Sequence, residues 1–250
     1  MKYLIGDIGN SEIKLCILNK KFKIIKRLKV ETSKINDKRF IKKFFFSFIG
    51  TKDLINKALF SSVVPSAFNN IKKKLKKNFN IKCKELKQIN YTKMIKLNVN
   101  KKQIGSDRIA NAIGSYYKYK SNCIVLDFGT ATTFDVIKKG IYLGGIIAPG
   151  VNLSLRTLSS RAEQIPVFTL KKTIKVIGKN TVSALRSGFY WGYIGLIENI
   201  LTMIKKQTKT NYKIILTGGF ASLFKNSIKS KVFVDKDITM KGLIRLLKIY

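Results

Sequence analysis

Two short signatures of one design, Asp7-Ile8-Gly9-Asn10-Ser11 and Asp127-Phe128-Gly129-Thr130-Ala131-Thr132-Thr133, each follow one apolar run and open another. The runs Tyr3-Leu4-Ile5 and Ile124-Val125-Leu126 read as strands that deliver an Asp to their ends. A glycine two residues later lets the chain turn tightly and bring backbone N–H groups near an anion. Strand then resumes, from Glu12 to Leu18 and from Thr132 to Ile137, so each signature is expected at the tip of a β-hairpin. A P-loop differs, because there the glycine-rich turn opens a helix. A single Asp-x-Gly turn is commonplace, its Asp capping its own backbone. Two of them at matching places in two similar halves point to a duplicated unit.

The rest of the chain supports duplication. The first half reads as strands Tyr3 to Ile8, Ile13 to Leu18 and Phe22 to Val30, a helix Lys34 to Phe48, and a strand Ala58 to Val64. A lysine-rich helix opened by Pro65 runs to about Phe79, and a short strand Lys82 to Leu86 follows. A helix from Ser106 carries Ile109, Ala110, Ile113 and Tyr117 at helical spacing and is expected to link the halves. From Asn122 the order restarts: strand, turn, strand Thr132 to Ile137, strand Ile141 to Ile147, then helices. Thr181 is the expected cap of a helix Val182 to Lys205, a strand Lys213 to Leu216 leads into Thr217-Gly218-Gly219, and Met240 to Lys248 forms the last helix. The fold class is α/β, with two duplicated lobes, residues 1–118 and 119–250. Each lobe is a mixed sheet with flanking helices, and a cleft is expected where the two tips converge. The arrangement resembles the ribonuclease-H-like lobes of actin-like ATPases and sugar kinases.

Composition removes several chemistries. There is no histidine, which excludes histidine triads, metal ligands and general bases, so a proton acceptor must be Asp, Glu, Lys, Tyr or Cys. Cys16, Cys83 and Cys123 are odd in number and far apart, indicating neither a disulfide framework nor a zinc site. No apolar stretch nears the roughly 18 residues that span a bilayer, and the first apolar run breaks at Asp7, so a cytoplasmic protein without membrane attachment is expected. The net charge of +37 suggests a polyanion partner. Its lysines are spread along the whole chain among Ile, Asn and Phe, the mark of A/T-rich coding, and no specific nucleic-acid partner is expected.

Gly105-Ser106-Asp107-Arg108, followed by Asn111-Ala112, sets an acid and a base side by side at a helix start. Ser106 or Asp107 is either a simple cap or part of a site in which Asp107 is a general base, kept ionised by the helix N-terminus, and Arg108 clamps an anion. Phosphoryl transfer suits the inventory, since it needs N–H groups and hydroxyls for phosphates, carboxylates for a metal and one carboxylate for the acceptor's proton. Three of the 13 acidic residues, Asp7, Asp107 and Asp127, fall in these motifs.

At this point the residues resemble the type III pantothenate kinases of bacteria. The resemblance rests on the two Asp-x-Gly motifs, Gly105 to Arg108 with Asn111-Ala112, and Gly144-Gly145-Ile146-Ile147-Ala148-Pro149-Gly150. Ala162 to Pro166, Gly178-Lys179-Asn180-Thr181 with Ser187-Gly188, and Thr217-Gly218-Gly219 follow in the family's order. It implies phosphorylation of pantothenate by ATP, the first step of coenzyme A synthesis, in a homodimer that needs Mg²⁺ and a monovalent cation, K⁺ or NH₄⁺. Carried over by motif, Asp7, Ile8, Gly9, Asn10, Ser11, Glu12, Ile13 and Lys14 form the ATP phosphate turn, Asp7 also facing Mg²⁺. Thr130 touches ATP, and Asp127 holds the monovalent cation. Gly105, Ser106, Asp107 and Arg108 contact pantothenate, with Asp107 as proton acceptor, and Thr181 touches pantothenate near the dimer interface. Arg108 pairs either with the substrate's carboxylate or with a neighbouring Asp. Asn98 stands where the family carries a substrate-contacting tyrosine, and Tyr91 lies seven residues further upstream. That departure leaves a kinase for another small hydroxy acid as an alternative, beside a non-catalytic regulatory or nucleic-acid-binding protein of the same fold.

Overall fold

The structure, a computed structural model, describes residues 1–37, 47–50 and 55–250. Strand β1 (Lys2–Ile8) turns back at Gly9 into β2 (Glu12–Leu18), and β3 (Ile24–Glu31) completes a meander. Strand β4 (Ile55–Ser62) returns parallel to β1, and β5 (Cys83–Glu85) lies outside it, giving the order β3-β2-β1-β4-β5. Helix α1 (Pro65–Phe79) starts at a proline, whose missing N–H costs nothing there, and stops at Asn80 in the left-handed region (φ 53°). Its buried Phe68, Ile71 and Leu75 join Leu4, Ile8, Ile13, Leu15, Ile17 and Phe60 in one core.

After the short β6 (Lys96–Leu97) comes α2 (Ser106–Tyr119). The second sheet repeats the first. Strands β7 (Cys123–Phe128) and β8 (Ala131–Lys138) form a hairpin, β9 (Ile141–Pro149) extends it, and β10 (Lys213–Gly218) and β11 (Val232–Val234) lie parallel beyond β7. The order β11-β10-β7-β8-β9, with β6 added at the β9 edge, matches that of the first sheet element for element. Helix α3 (Val151–Arg161), the long α4 (Thr181–Thr208) and the single-turn α5 (Ala221–Phe224) follow β9 and β10. They bury Leu155, Tyr190, Ile194, Ile197, Leu201 and Phe224 against Ile124, Leu126, Phe134 and Leu216.

Backbone contacts divide the chain into Met1–Lys118 with Gly140–Tyr142 and Asp237–Tyr250, and Tyr119–Lys139 with Leu143–Lys236. The expected lobe of residues 119–250 therefore lacks the last helix, α6 (Ile238–Leu247), which packs on β1 and β4. The reason is close approach: a Cβ on Gly242 would sit 1.9 Å from the Ala110 carbonyl oxygen, and one on Gly114 2.2 Å from that of Ile238. Two glycines thus let α2 and α6 touch backbone to backbone, where the Thr239 hydroxyl donates to Asn111 Oδ1 at 2.6 Å. The expected helix Lys34 to Phe48 falls largely outside the described residues; within them a 3₁₀ turn covers Thr32–Asn36. The cap of α4 is Asn180 rather than Thr181, because Asn180 Oδ1 accepts the Ser183 N–H and Ser183 Oγ accepts that of Asn180.

Candidate active site

Both Asp-x-Gly motifs form hairpin tips. Gly9 N–H donates to Glu12 O at 2.9 Å, and Gly129 N–H to Ala131 O at 3.1 Å. Neither glycine is among those with positive φ; a Cβ on Gly9 would sit a tight 3.2 Å from Glu12 O, whereas one on Gly129 would come no nearer than 3.5 Å to Ala131 O. The first tip is pinned from the end of β3 by Thr32, whose hydroxyl donates to Gly9 O at 2.7 Å and whose N–H donates to Ser11 O at 3.1 Å. The second is clasped by backbone: a Cβ on Gly150 would meet Thr130 O at 1.9 Å, and one on Gly218 (φ +83°) would meet Phe128 O at 2.5 Å. Pro149-Gly150 and Thr217-Gly218-Gly219 are therefore packing partners of the second turn.

Of the eight residues expected in the first turn, Ile8 and Ile13 are buried core residues, which leaves their side chains no access to a ligand. Asn10 and Ser11 are exposed, and Asp7, Gly9, Glu12 and Lys14 are half-buried. Asp7 lies opposite Lys14 on β2 and in register with Ser61 on the parallel β4. The hydroxyl of the fully buried Ser61 donates to Asp7 Oδ1 at 2.6 Å, a contact between residues far apart in sequence that the motif alone does not disclose. Glu12 reaches Lys29 at 2.5 Å and Lys14 at 3.8 Å.

The same unit holds Gly105 to Arg108 at the start of α2. Ser106 is buried, and its hydroxyl accepts the Ser62 N–H at 2.8 Å and donates to Ser62 O at 3.0 Å, tying the helix start to the end of β4. Its side chain is a structural clamp. Asp107 Oδ1 accepts the Arg108 N–H at 2.7 Å. A Cβ on Gly105 would lie 2.4 Å from that same oxygen, so a side chain there would displace the Asp107 carboxylate. Burial pushes the Asp107 carboxyl above its ordinary pKa, and the Arg108 N–H and charge and the Lys87 charge only partly oppose it. Desolvation thus moves this pKa in the direction opposite to that expected of a helix N-terminus. The Arg108 guanidinium carbon is 5.9 Å from the ring centre of Tyr142, whose backbone oxygen accepts the N–H of Asn98 at 2.9 Å. Asn98 is exposed. Tyr91 is buried, and its carbonyl accepts the Met94 and Ile95 N–H groups.

In the second unit Asp127 is half-buried at the end of β7, and Thr130 and Thr181 are exposed. Among the described residues no three His, Cys, Asp or Glu side chains cluster to hold a metal; the half-buried Asp7 at the first hairpin tip is a single carboxylate ligand. Mg²⁺ binds through one or two carboxylates plus waters and substrate phosphates rather than in a protein cage.

The sequence profile described as type III pantothenate kinase matches residues 3–203. A type III pantothenate kinase of Pelagibacter ubique is 59% identical over 242 residues, 97% of each chain. This chain belongs to the type III pantothenate kinase family. It is a kinase, and the reaction of the family is ATP-dependent phosphorylation of pantothenate on the way to coenzyme A. Among solved structures, a conserved Baf-family protein of Campylobacter jejuni superposes with a TM-score of 0.62 at 21% identity, covering 98% of both chains. The activator of the 2-hydroxyisocaproyl-CoA dehydratase of Clostridium difficile, solved with ADPNP, gives 0.58 at 11% identity over 100% of this chain and 95% of its own. These likenesses bear on fold alone, and they agree with the expected actin-like ATPase and sugar-kinase architecture of two mixed sheets. Among the described residues no helix is long and apolar enough to cross a membrane.

Proposed function

We propose that the protein transfers the γ-phosphoryl group of ATP to the hydroxyl of pantothenate, with Asp107 as general base. The observation that carries this assignment is the Asp107 carboxylate: it is held at one oxygen by the Arg108 N–H and its pKa is raised by burial. A base whose pKa is drawn up toward working pH accepts a proton from a substrate hydroxyl more readily than an ordinary Asp. Arg108, beside it, receives the substrate's carboxylate. The Asp7 to Lys14 turn takes the ATP phosphates on its backbone N–H groups and Lys14, and Thr130 adds a hydroxyl. Bound Mg²⁺ at Asp7 supplies charge neutralisation, and Asp127 offers oxygen donors to K⁺ or NH₄⁺. The location is cytoplasmic.

A homodimer belongs to the same reading, with Thr181 touching pantothenate near the dimer interface. On α4, a Cβ at Gly188, Gly192 or Gly195 would meet nothing within 4 Å. Three glycines in a helix cost about 1 kcal/mol each relative to alanine, a cost that close approach by a second chain would offset. Trp191 beside them and Val167, Ile174 and Ile177 in the preceding segment are exposed, as expected of an uncovered interface.

Asn98 in the tyrosine position favours one rival reading, a kinase for a different small hydroxy acid. Competing such acids with pantothenate in a single ATP-consumption assay separates the two: preferential phosphorylation of another acid would replace pantothenate as substrate. The +37 charge favours the nucleic-acid-binding alternative; DNA binding that is sub-micromolar and sequence-selective at physiological salt would support it, whereas weak binding abolished by salt would not.

A further inference from the structure

We propose that Ser61 is a positioning residue for the Asp7 carboxylate, setting its orientation toward the Mg²⁺ and phosphates of ATP. The inference rests on the reading that Asp7 faces Mg·ATP. Ser61 stands in register with Asp7 across a parallel pair of strands, and its hydroxyl donates to Asp7 Oδ1 at 2.6 Å. It is fully buried, as are Leu59 and Phe60 before it on β4, and a hydroxyl there is costly unless bonded. The bond to a carboxylate is charge-assisted and short, and it restricts rotation of the carboxylate about its Cβ–Cγ axis.

The donor is itself held in place. The next residue, Ser62, exchanges two hydrogen bonds with the Ser106 hydroxyl, and the Val63 N–H donates to Ile8 O at 3.0 Å. The end of β4 is thereby fastened to the strand that carries Asp7 and to the helix that carries Asp107. The duplicated unit repeats the device at the level of register. Thr217, also buried, lies opposite Asp127 on the strand parallel to β7. Each turn aspartate therefore faces a buried hydroxyl residue on its parallel neighbour, a pairing that neither Asp-x-Gly motif contains. Partners that hold a metal-binding group in place commonly change metal affinity or activity by about 10- to 100-fold when removed.

The test compares wild type, Ser61→Ala and Asp7→Asn as full-length proteins. Calorimetric ATP binding is measured without Mg²⁺ and across a Mg²⁺ titration, and turnover is measured with Mg²⁺ varied at saturating ATP and pantothenate. Ser61→Ala is expected to raise the half-saturating Mg²⁺ about tenfold in both measurements, leaving the KM for pantothenate and metal-free ATP affinity unchanged. A merely structural serine would lower the melting temperature without moving the Mg²⁺ midpoint. A midpoint unmoved in Ser61→Ala but shifted in Asp7→Asn overturns the inference. A midpoint unmoved in both overturns the metal role of Asp7 itself. Should the alanine variant fail to fold, Ser61→Cys, close in size and a weaker donor, takes its place and is expected to give a smaller shift in the same direction, an unmoved midpoint again overturning the inference.

Discussion

Replacing Asp107 with asparagine separates catalysis from folding at one atom. The amide keeps the shape and still offers an oxygen to the Arg108 N–H, at 2.7 Å in the wild type, but it cannot accept a proton. General-base catalysis contributes about 10²- to 10⁴-fold, so turnover should fall by that factor, about 3–5 kcal/mol of barrier. Stability should move the other way. Burial raises the carboxyl pKa in the folded protein, so its stabilising contribution is complete below the unfolded-state value of about 4 and is lost as pH rises through the folded value. At pH 7 the wild type therefore carries a desolvated charge that the Asp107→Asn variant does not, and the variant should melt at an equal or higher temperature. That advantage should shrink toward pH 4. The assay is kcat at saturating substrates beside thermal melts at pH 4, 5.5 and 7. Turnover within a few-fold of wild type would refute the general-base role, and a variant less stable at pH 7 would refute the desolvation argument. The acid limb of kcat/KM should likewise lie above the ordinary Asp value; a limb at that value would count against the assignment.

Gly242→Ala places a methyl group 1.9 Å from the Ala110 carbonyl oxygen, and denaturant unfolding should show a loss of about 3 kcal/mol or more as α2 and α6 are forced apart. Burial pushes the Cys16 and Cys83 thiols up to about 11, so iodoacetamide at pH 8 should label neither in the native protein and both after unfolding. The Arg27–Asp237 pair, at 2.6 Å but with side chains 54% and 37% exposed, should contribute less than about 1 kcal/mol in a double-mutant cycle and fade with added salt. Gly192→Arg, on the open glycine face of α4, should convert the proposed dimer to monomer in sedimentation while leaving the melting transition intact; an unchanged mass would argue against that interface.

Much of the architecture was legible in local pattern. Apolar runs ending in Asp-x-Gly located both hairpins, Pro65 opened a helix where expected, and the repeat of three strands announced two similar sheets. The Gly-x-Asp-Arg motif was legible as a helix start, and a side chain at Gly105 would displace the Asp107 carboxylate. What escaped was set by partners remote in sequence. Nothing near Asp7 points to Ser61, because a parallel strand must first bring them together. The C-terminal helix joins the first unit through two glycines whose use shows only once α2 and α6 meet. β6 and β11 are too short, at two and three residues, for alternation to register. The direction of the Asp107 shift depends on burial, which a motif does not carry.

The most direct measurement is mass-spectrometric detection of product after incubating the purified protein with ATP, Mg²⁺, K⁺ and pantothenate. Stoichiometric formation of 4'-phosphopantothenate with ADP is expected, and it should be lost in Asp107→Asn. Absence of that product under every Mg²⁺, K⁺ and NH₄⁺ condition, from a protein shown to be folded, would contradict the account.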